Sequence, residues 1–291
     1  MRGLNDEVLD DLCAGACALA VQASSAIMEI YSRGFAVQRK ADRSPLTEAD
    51  TTANAILEHG LKQLAPRFPV LSEESSPRVF ADRHRWARYW LVDPLDGTRE
   101  FINKNNEFSV NIALVEHGAV VLGIIAAPAK NQLVFAHHGV ATRFLRLDAS
   151  QPAIDLLSEV PDAAARAVVR ATVRVGVSRS HHPAELHTSL SRLGQFSTHA
   201  LGSALKFLAI AEKNLDIYPR LKSSSSEWDI AAGQCIVEQS GGAVLGLDGQ
   251  PLRYNQRADL LVPAFIACAD ASRDWLTQLG WAANKPEPPA C

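Results

Sequence analysis

Two stretches near the start of the chain repeat apolar residues three and four positions apart, and this spacing predicts helices over residues 7–31 and 48–64. Thr47 stands just before the second, with Asp50 three positions on, which has the form of an N-cap and its acidic partner. Residues 69–72 read as a short strand running into Glu73-Glu74-Ser75, and charged loop sequence follows as far as Arg88. Tyr89-Trp90-Leu91-Val92 is an unbroken apolar run, the mark of a buried strand, and Asp93-Pro94 predicts its abrupt end. Short apolar runs at 108–115, 120–126, 133–136 and 143–147 are separated by turn-forming residues such as Glu116-His117-Gly118 and His138-Gly139. That is the pattern of an antiparallel meander. His137-His138 reads as a hairpin turn with no role in a site.

Beyond a connection at 150–165 rich in Ala, Asp and Pro, the pattern alternates. Strands are predicted at 173–177, 196–199, 216–218, 244–247 and 265–269, with helices at 183–193, 204–212 and 228–239. The tail at 285–291, with its three prolines, is expected to fray. Residues 1–150 therefore read as an α+β half with a largely antiparallel sheet, and residues 151–291 as an α/β half. Together they predict stacked helix and sheet layers in one compact unit.

Composition narrows the function classes. The chain has 291 residues, 47% hydrophobic and 21% charged, with 29 basic against 32 acidic residues and a formal net charge of −3. A core is possible, and the absence of a long basic run argues against polymeric nucleic acid as a partner. The acidic start, with Asp6, Glu7, Asp10 and Asp11, is the reverse of a secretory signal. Gln22, Ser24, Ser25 and Glu29 interrupt the apolar stretch at 12–30, so it reads as a buried helix and no transmembrane segment is expected. Five cysteines, Cys13, Cys17, Cys235, Cys268 and Cys291, show no metal-ligating spacing. Free thiols in a reducing cytoplasm are the expectation, with peripheral membrane association left open.

The chemistry concentrates in Asp93-Pro94-Leu95-Asp96-Gly97-Thr98. Two carboxylates three residues apart at a strand end can aim at one point, which suits Mg²⁺ and its demand for oxygen ligands; the Leu95 carbonyl could add another. Gly97 allows close approach of the backbone, and a helical turn beginning near Thr98 would offer free N–H groups to an anion. The same residues also make good turn chemistry. Glu73 and Glu74 could be a solvated pair, or one could face a cleft. Asp229, in Glu227-Trp228-Asp229-Ile230, is a candidate ligand on a rigid helix start, or simply complements the dipole of a helix capped by Ser226.

These motifs together resemble the inositol monophosphatase-like superfamily of metal-dependent, lithium-sensitive phosphatases. The markers are Leu71-Ser72-Glu73-Glu74, the run from Trp90 through Asp93-Pro94-Leu95-Asp96-Gly97-Thr98 to Phe101, and Glu227-Trp228-Asp229-Ile230-Ala231-Ala232-Gly233-Gln234. The likeness covers roughly residues 16–269. It implies a layered αβαβα sandwich with the site between the halves and at least two Mg²⁺. Glu73, Asp93 and the Leu95 carbonyl would hold one ion, and Asp93, Asp96 and Asp229 the other. A water activated by the metal would be the nucleophile, oriented by Thr98 paired with Asp50; Glu73 belongs to the same catalytic set.

Within the superfamily, Arg99-Glu100-Phe101 after the Asp-Gly-Thr turn is similar to the bisphosphate nucleotidases, where inositol enzymes have Thr-Asn-Phe. Ser178-Arg179-Ser180-His181 resembles their nucleotide loop, although His181 and His182 could equally be ordinary loop histidines. Gly202-Ser203-Ala204-Leu205-Lys206-Phe207 and Tyr218-Pro219-Arg220 also resemble nucleotidase segments. The resemblance thus implies a substrate subsite of Gly97, Thr98, Ser178, Arg179, Ser180, His181, Lys206, Arg220 and Asp229. The implied reaction is hydrolysis of the 3′-phosphate of adenosine 3′,5′-bisphosphate to AMP and phosphate, in sulfur metabolism, with 3′-phosphoadenylyl sulfate as a further substrate. An inositol or broad sugar-phosphate phosphatase is the alternative, and an idle metal- or phosphate-binding regulator a second. The chain is expected to be a monomer or homodimer.

Overall fold

The computed structural model describes residues 3–39, 45–147, 172–179, 184–222 and 225–281. Helix α1 (Asp6–Arg33) starts at Asn5, whose side chain accepts from the Val8 N–H at 3.0 Å. Strands β1 (Val37–Arg39) and β2 (Pro45–Thr47) pair antiparallel, and α2 (Glu48–Leu64) follows with the bounds its cap predicts. Strand β3 (Val70–Ser72) leads to a short helix α3 (Pro77–Asp82) and a 3₁₀ turn at Arg83–Arg85. Sequence reading treats this region as charged loop; Ser76 followed by Pro77 at the first helical position is the start signal it passes over.

Strand β4 (Arg88–Asp96) also departs from expectation, for it continues through Pro94. Its pairing with the next strand matches Asp93 to Asn111 and then Asp96 to Ser109, with the register broken between them. Proline, which lacks an N–H to give the ladder, thus sits at an irregularity where none is required. Helix α4 (Thr98–Ile102) and strands β5 (Ser109–Glu116), β6 (Ala119–Ala127), β7 (Gln132–His137) and β8 (Val140–Arg146) complete the first half. His137 is a buried strand residue rather than a turn residue, and its Nε2 lies 2.9 Å from Asp10 Oδ1. The connection expected at 150–165 lies outside the described residues, as does the tail at 285–291.

The second half contributes β9 (Val173–Ser178), α5 (Ala184–Leu190), β10 (Phe196–Leu201), α6 (Leu205–Ala211), β11 (Ile217–Arg220), α7 (Glu227–Gln239), β12 (Ala243–Gly246), β13 (Phe265–Cys268) and α8 (Trp275–Leu279). The last helix is not anticipated from the apolar pattern, being little more than one turn long.

Two main sheets result. The first has strand order β3-β4-β5-β6-β7-β8, antiparallel except for the β3–β4 pair; the second has the order β10-β9-β11-β13-β12 and is mixed. Alternate residues of β4 face opposite cores. Trp90 and Val92 join Ala16, Ala20, Leu57 and Leu61 beneath α1 and α2, whereas Tyr89 and Leu91 join Phe207, Ala231 and Ile236 of α6 and α7. The same central core takes in Val244, Phe265 and Ala267 from the second sheet. That sheet's other face packs Val175, Ile217 and Ile266 against Leu186, Leu190, Trp275 and Leu279. The layers are therefore α, β, α, β, α. Helix α1 is long and apolar enough to cross a membrane by length and composition, and its Leu12–Ala16–Ala23–Ile27 side is taken up by the first sheet. Cys13, Cys17, Cys235 and Cys268 are all free and buried.

Candidate active site

The N-terminal part of the site hangs on the end of β4. The Glu73 N–H donates to the Val92 carbonyl at 3.1 Å, so the residue after β3 is tied beside Asp93. Asp93 is buried within the strand, and the Leu95 N–H donates to its Oδ1 at 3.0 Å, curling the chain around the carboxylate. Gly97 then adopts φ 88°, ψ 40°, a left-handed conformation open to glycine, and α4 begins at Thr98 with no side chain capping its N–H groups.

From the other half, α7 delivers Asp229 in its first turn. The Ser226 N–H donates to Asp229 Oδ2 at 2.9 Å, which fixes the side chain before any ligand arrives. Asp93, Asp96 and Asp229 can each present one carboxylate oxygen within 4.8 Å of the others. Glu73 and Leu95 line the same cleft.

Burial makes this cluster costly as it stands. Burial and the neighbouring Glu73, Asp96 and Asp229 push the Asp93 carboxyl well above the usual carboxylate range. Asp229 is raised in the same direction by burial, then by Asp96 and Glu73, while the Ser226 N–H opposes the shift. Asp96 is pushed up to about 6, chiefly by burial; Lys206 and the Asn111 side chain hold it back. A set of hard oxygen donors that repel one another fits small divalent cations such as Mg²⁺, and the site has no thiol or imidazole among its lining residues.

The cleft has a volume of about 330 Å³. Of the residues read from the sequence, Glu73, Asp93, Leu95, Asp96, Gly97, Thr98, Ser178, Lys206, Arg220 and Asp229 line it. Asp50 stands behind Thr98: its Oδ1 accepts from the Thr98 hydroxyl at 3.1 Å, while its Oδ2 accepts from the Thr47 N–H and hydroxyl, each at 2.7 Å. The capping role and the site role coexist in one carboxylate. Lys206 is buried, and its Nζ donates to the carbonyls of Leu201 (3.0 Å) and Ser203 (2.6 Å). Burial lowers its pKa to about 8 against the pull of Asp96.

Arg179 is placed differently from expectation. Its guanidinium grips Glu107, with Nη2 to Oε1 at 2.6 Å and Nε to Oε2 at 3.1 Å, and it is not among the residues lining the cleft. Ser180 and His181 lie outside the described residues. Conversely, sequence reading misses Asn111, whose side chain donates to Asp96 Oδ2 at 3.4 Å and accepts from the Ser109 hydroxyl at 2.9 Å. A signal for it exists: an amide inside the apolar run Val110–Asn111–Ile112 is expensive unless something meets it. Ser203, Arg99 and Glu100 also line the cleft.

Against known proteins, a sequence model described as the inositol monophosphatase family matches residues 8–284. The 3′(2′),5′-bisphosphate nucleotidase CysQ of Shigella flexneri is 42% identical over 251 residues, covering 86% of this chain and 96% of the relative. The protein of the same name from Escherichia coli K12 is 41% identical over the same shares. The crystal structure of CysQ from Bacteroides thetaiotaomicron, described as a bacterial member of the inositol monophosphatase family, superposes with TM-score 0.74 at 34% identity. That match covers 91% of this chain and 98% of the other. The IMPase of Thermotoga maritima shares the fold, with TM-score 0.68 at 22% identity over 91% of this chain and 95% of that one.

Proposed function

The chain belongs to the inositol monophosphatase family, and from that premise we propose that it removes the 3′-phosphate of adenosine 3′,5′-bisphosphate, giving AMP and phosphate. 3′-Phosphoadenylyl sulfate is a second substrate on this reading, and sulfur metabolism its setting. The observation that carries it is the meeting of Asp93 and Asp96 with Asp229 from the opposite half, beside a helix start whose N–H groups no side chain caps. The name carried by relatives at 41–42% identity supports the nucleotide as substrate.

Glu73, Asp93, the Leu95 carbonyl, Asp96 and Asp229 would hold Mg²⁺ ions, two on this reading. Bound there, they supply Lewis acidity toward the phosphoryl group. The protein's own residues do the rest. The Thr98 hydroxyl donates a hydrogen bond to Asp50 at 3.1 Å, with the Leu95 carbonyl 3.3 Å away, and on this reading its oxygen accepts a hydrogen bond from the attacking water and relays that proton to Asp50. On this reading the uncapped N–H groups of Gly97 and Thr98, both lining the cleft, receive phosphoryl oxygens. Lys206 and Arg220 line the cleft from the second half and on this reading meet the remote charge of a bisphosphate.

Phosphate release from adenosine 3′,5′-bisphosphate, inositol 1-phosphate and fructose 1,6-bisphosphate, with and without Mg²⁺ and with added Li⁺, tests the reading. The expected result is Mg²⁺-dependent, Li⁺-inhibited turnover with the nucleotide preferred. Preference for inositol phosphate would overturn the substrate, and no turnover of any of the three would favour a binding protein over an enzyme.

A further inference from the structure

Glu107 lies in neither metal motif nor any nucleotide segment, yet it joins the two walls of the cleft. It comes from the first half, in the turn between α4 and β5. Its carboxylate Oε2 accepts from the Gly202 N–H at 2.8 Å, and both its oxygens are held by Arg179. Arg179 in turn donates to the Ala200 carbonyl at 3.3 Å, so one acid anchors the ends of β9 and β10 together. The side chain of Glu107 is 12% exposed, against 46% for Arg179; the acid is the interior member of the pair.

The surrounding glycines record how tightly this joint is packed. A Cβ on Gly202 would lie 2.8 Å from the Glu107 carbonyl, 3.0 Å from its Cβ and 2.7 Å from Glu100 Cγ. A Cβ on Gly97 would meet the same Glu107 carbonyl at 3.0 Å and Ser203 Cβ at 3.3 Å. Glu107 is thus wedged between the Asp96-Gly97-Thr98 turn, which faces the reacting phosphate on the proposed reading, and the Gly202–Ser203 wall. That wall sets the position of Lys206, because the Ser203 and Leu201 carbonyls hold its Nζ and leave one N–H for the cleft.

We infer that Glu107 is a positioning residue for substrate affinity: with Arg179 as its counter-ion, it holds the Gly202–Ser203 wall and Lys206 at a fixed distance from the phosphoryl end. This deepens, and rests on, the nucleotidase reading. It predicts that a substrate charged at both ends needs the joint, while one that occupies only the phosphoryl end does not.

The test compares Glu107→Ala, Glu107→Gln, Arg179→Met and the double variant Glu107→Ala/Arg179→Met with the wild type. Steady-state kinetics use adenosine 3′,5′-bisphosphate and p-nitrophenyl phosphate. Glu107→Ala should raise KM for the bisphosphate by about tenfold or more with kcat within about threefold, the signature of lost remote binding. For p-nitrophenyl phosphate the change in KM should stay under about threefold. Glu107→Gln keeps an acceptor for the Gly202 N–H and should fall between wild type and Ala. The double variant should be no worse than Glu107→Ala, because both changes break one joint.

Unchanged KM in Glu107→Ala, equal losses on both substrates, or multiplying effects in the double variant would each overturn the inference; the last would put Arg179 on the substrate instead. Should Glu107→Ala fail to fold, Glu107→Gln and Arg179→Met decide on the same criteria. If the wild type does not hydrolyse the nucleotide, the nucleotidase reading fails first. The KM comparison then runs on fructose 1,6-bisphosphate, charged at both ends, against p-nitrophenyl phosphate, and an unchanged KM for the bisphosphate in Glu107→Ala sinks the positioning role separately; turnover of inositol 1-phosphate alone overturns it together with the nucleotidase reading.

Discussion

Replacing Asp96 by Asn should make the metal-free protein more stable while it destroys activity. Asp96 is pushed from an ordinary value of 3.8 up to about 6 in the folded protein, with burial the largest cause. A rise of about two units corresponds to roughly 3 kcal/mol against folding when the group is ionised. Because the folded value lies above the unfolded one, the penalty is complete above about pH 6 and fades as pH falls from there toward 3.8. Asn keeps the shape and can still accept from Asn111, so about 1–3 kcal/mol of that penalty should be recovered. Urea unfolding in EDTA at pH 8 should therefore show the variant ahead by this amount, and at pH 5 the gap should shrink. Mg²⁺ should reverse the order by stabilising the wild type more than the variant. Equal midpoints at pH 8 in EDTA, or a variant weaker than wild type there, would refute the claim that these acids are held together under electrostatic strain.

Other expectations follow from single contacts. Asp93→Asn should lower kcat by about a thousandfold or more, since Asp93 sits at the centre of the acidic cluster; isothermal titration should find Mg²⁺ binding weakened in parallel. Thr98→Val removes the hydroxyl that reaches Asp50 but leaves Asp50 capping α2. It should cost about 10²-fold in kcat and only about 1 kcal/mol in stability, which activity and unfolding assays together resolve. Arg83→Met should destabilise by about 3–5 kcal/mol, because it removes a buried cation near Glu227 and strands its acceptors. Those acceptors are the Arg257 (2.8 Å) and Ala258 (2.7 Å) carbonyls and the Asn255 side chain. A loss of stability smaller than about 1 kcal/mol in denaturant unfolding would show that these contacts do not hold the segment as argued.

What the sequence made legible were features whose cause is local. The start of α2 is readable because Thr47 and Asp50 cap it within one turn, and the meander is readable because its turns carry their own signals. Pro94 misleads because a proline normally ends a strand, whereas here a break in pairing between Asp93 and Asp96 accommodates it. That break is set by β5, a partner the local sequence does not contain. Arg179 misleads for a similar reason. A basic residue after a strand looks available to an anion until the fold brings Glu107, 72 positions earlier, against it. The metal acids fall between these cases. Their motifs are local, but the burial that raises their proton affinities, and the company of Asp229 from the other half, exist only in the folded chain.

Both halves solve the problem of aiming a carboxylate in the same way. In α2 the third residue is Asp50, with one oxygen committed to the Thr47 cap and the other to the Thr98 hydroxyl. In α7 the third residue is Asp229, with Oδ2 committed to the Ser226 N–H while the group takes its place beside Asp93 and Asp96. A helix start needs an acceptor at this point in any protein, because its first N–H groups have no partner within the helix. Using that acceptor as a site residue fixes its rotamer through a bond the fold makes regardless. The ordering entropy is then met on folding rather than on binding. A carboxylate so placed cannot swing away from its neighbours, so mutual repulsion adds to burial, the larger cause, in raising the proton affinities of Asp93 and Asp229.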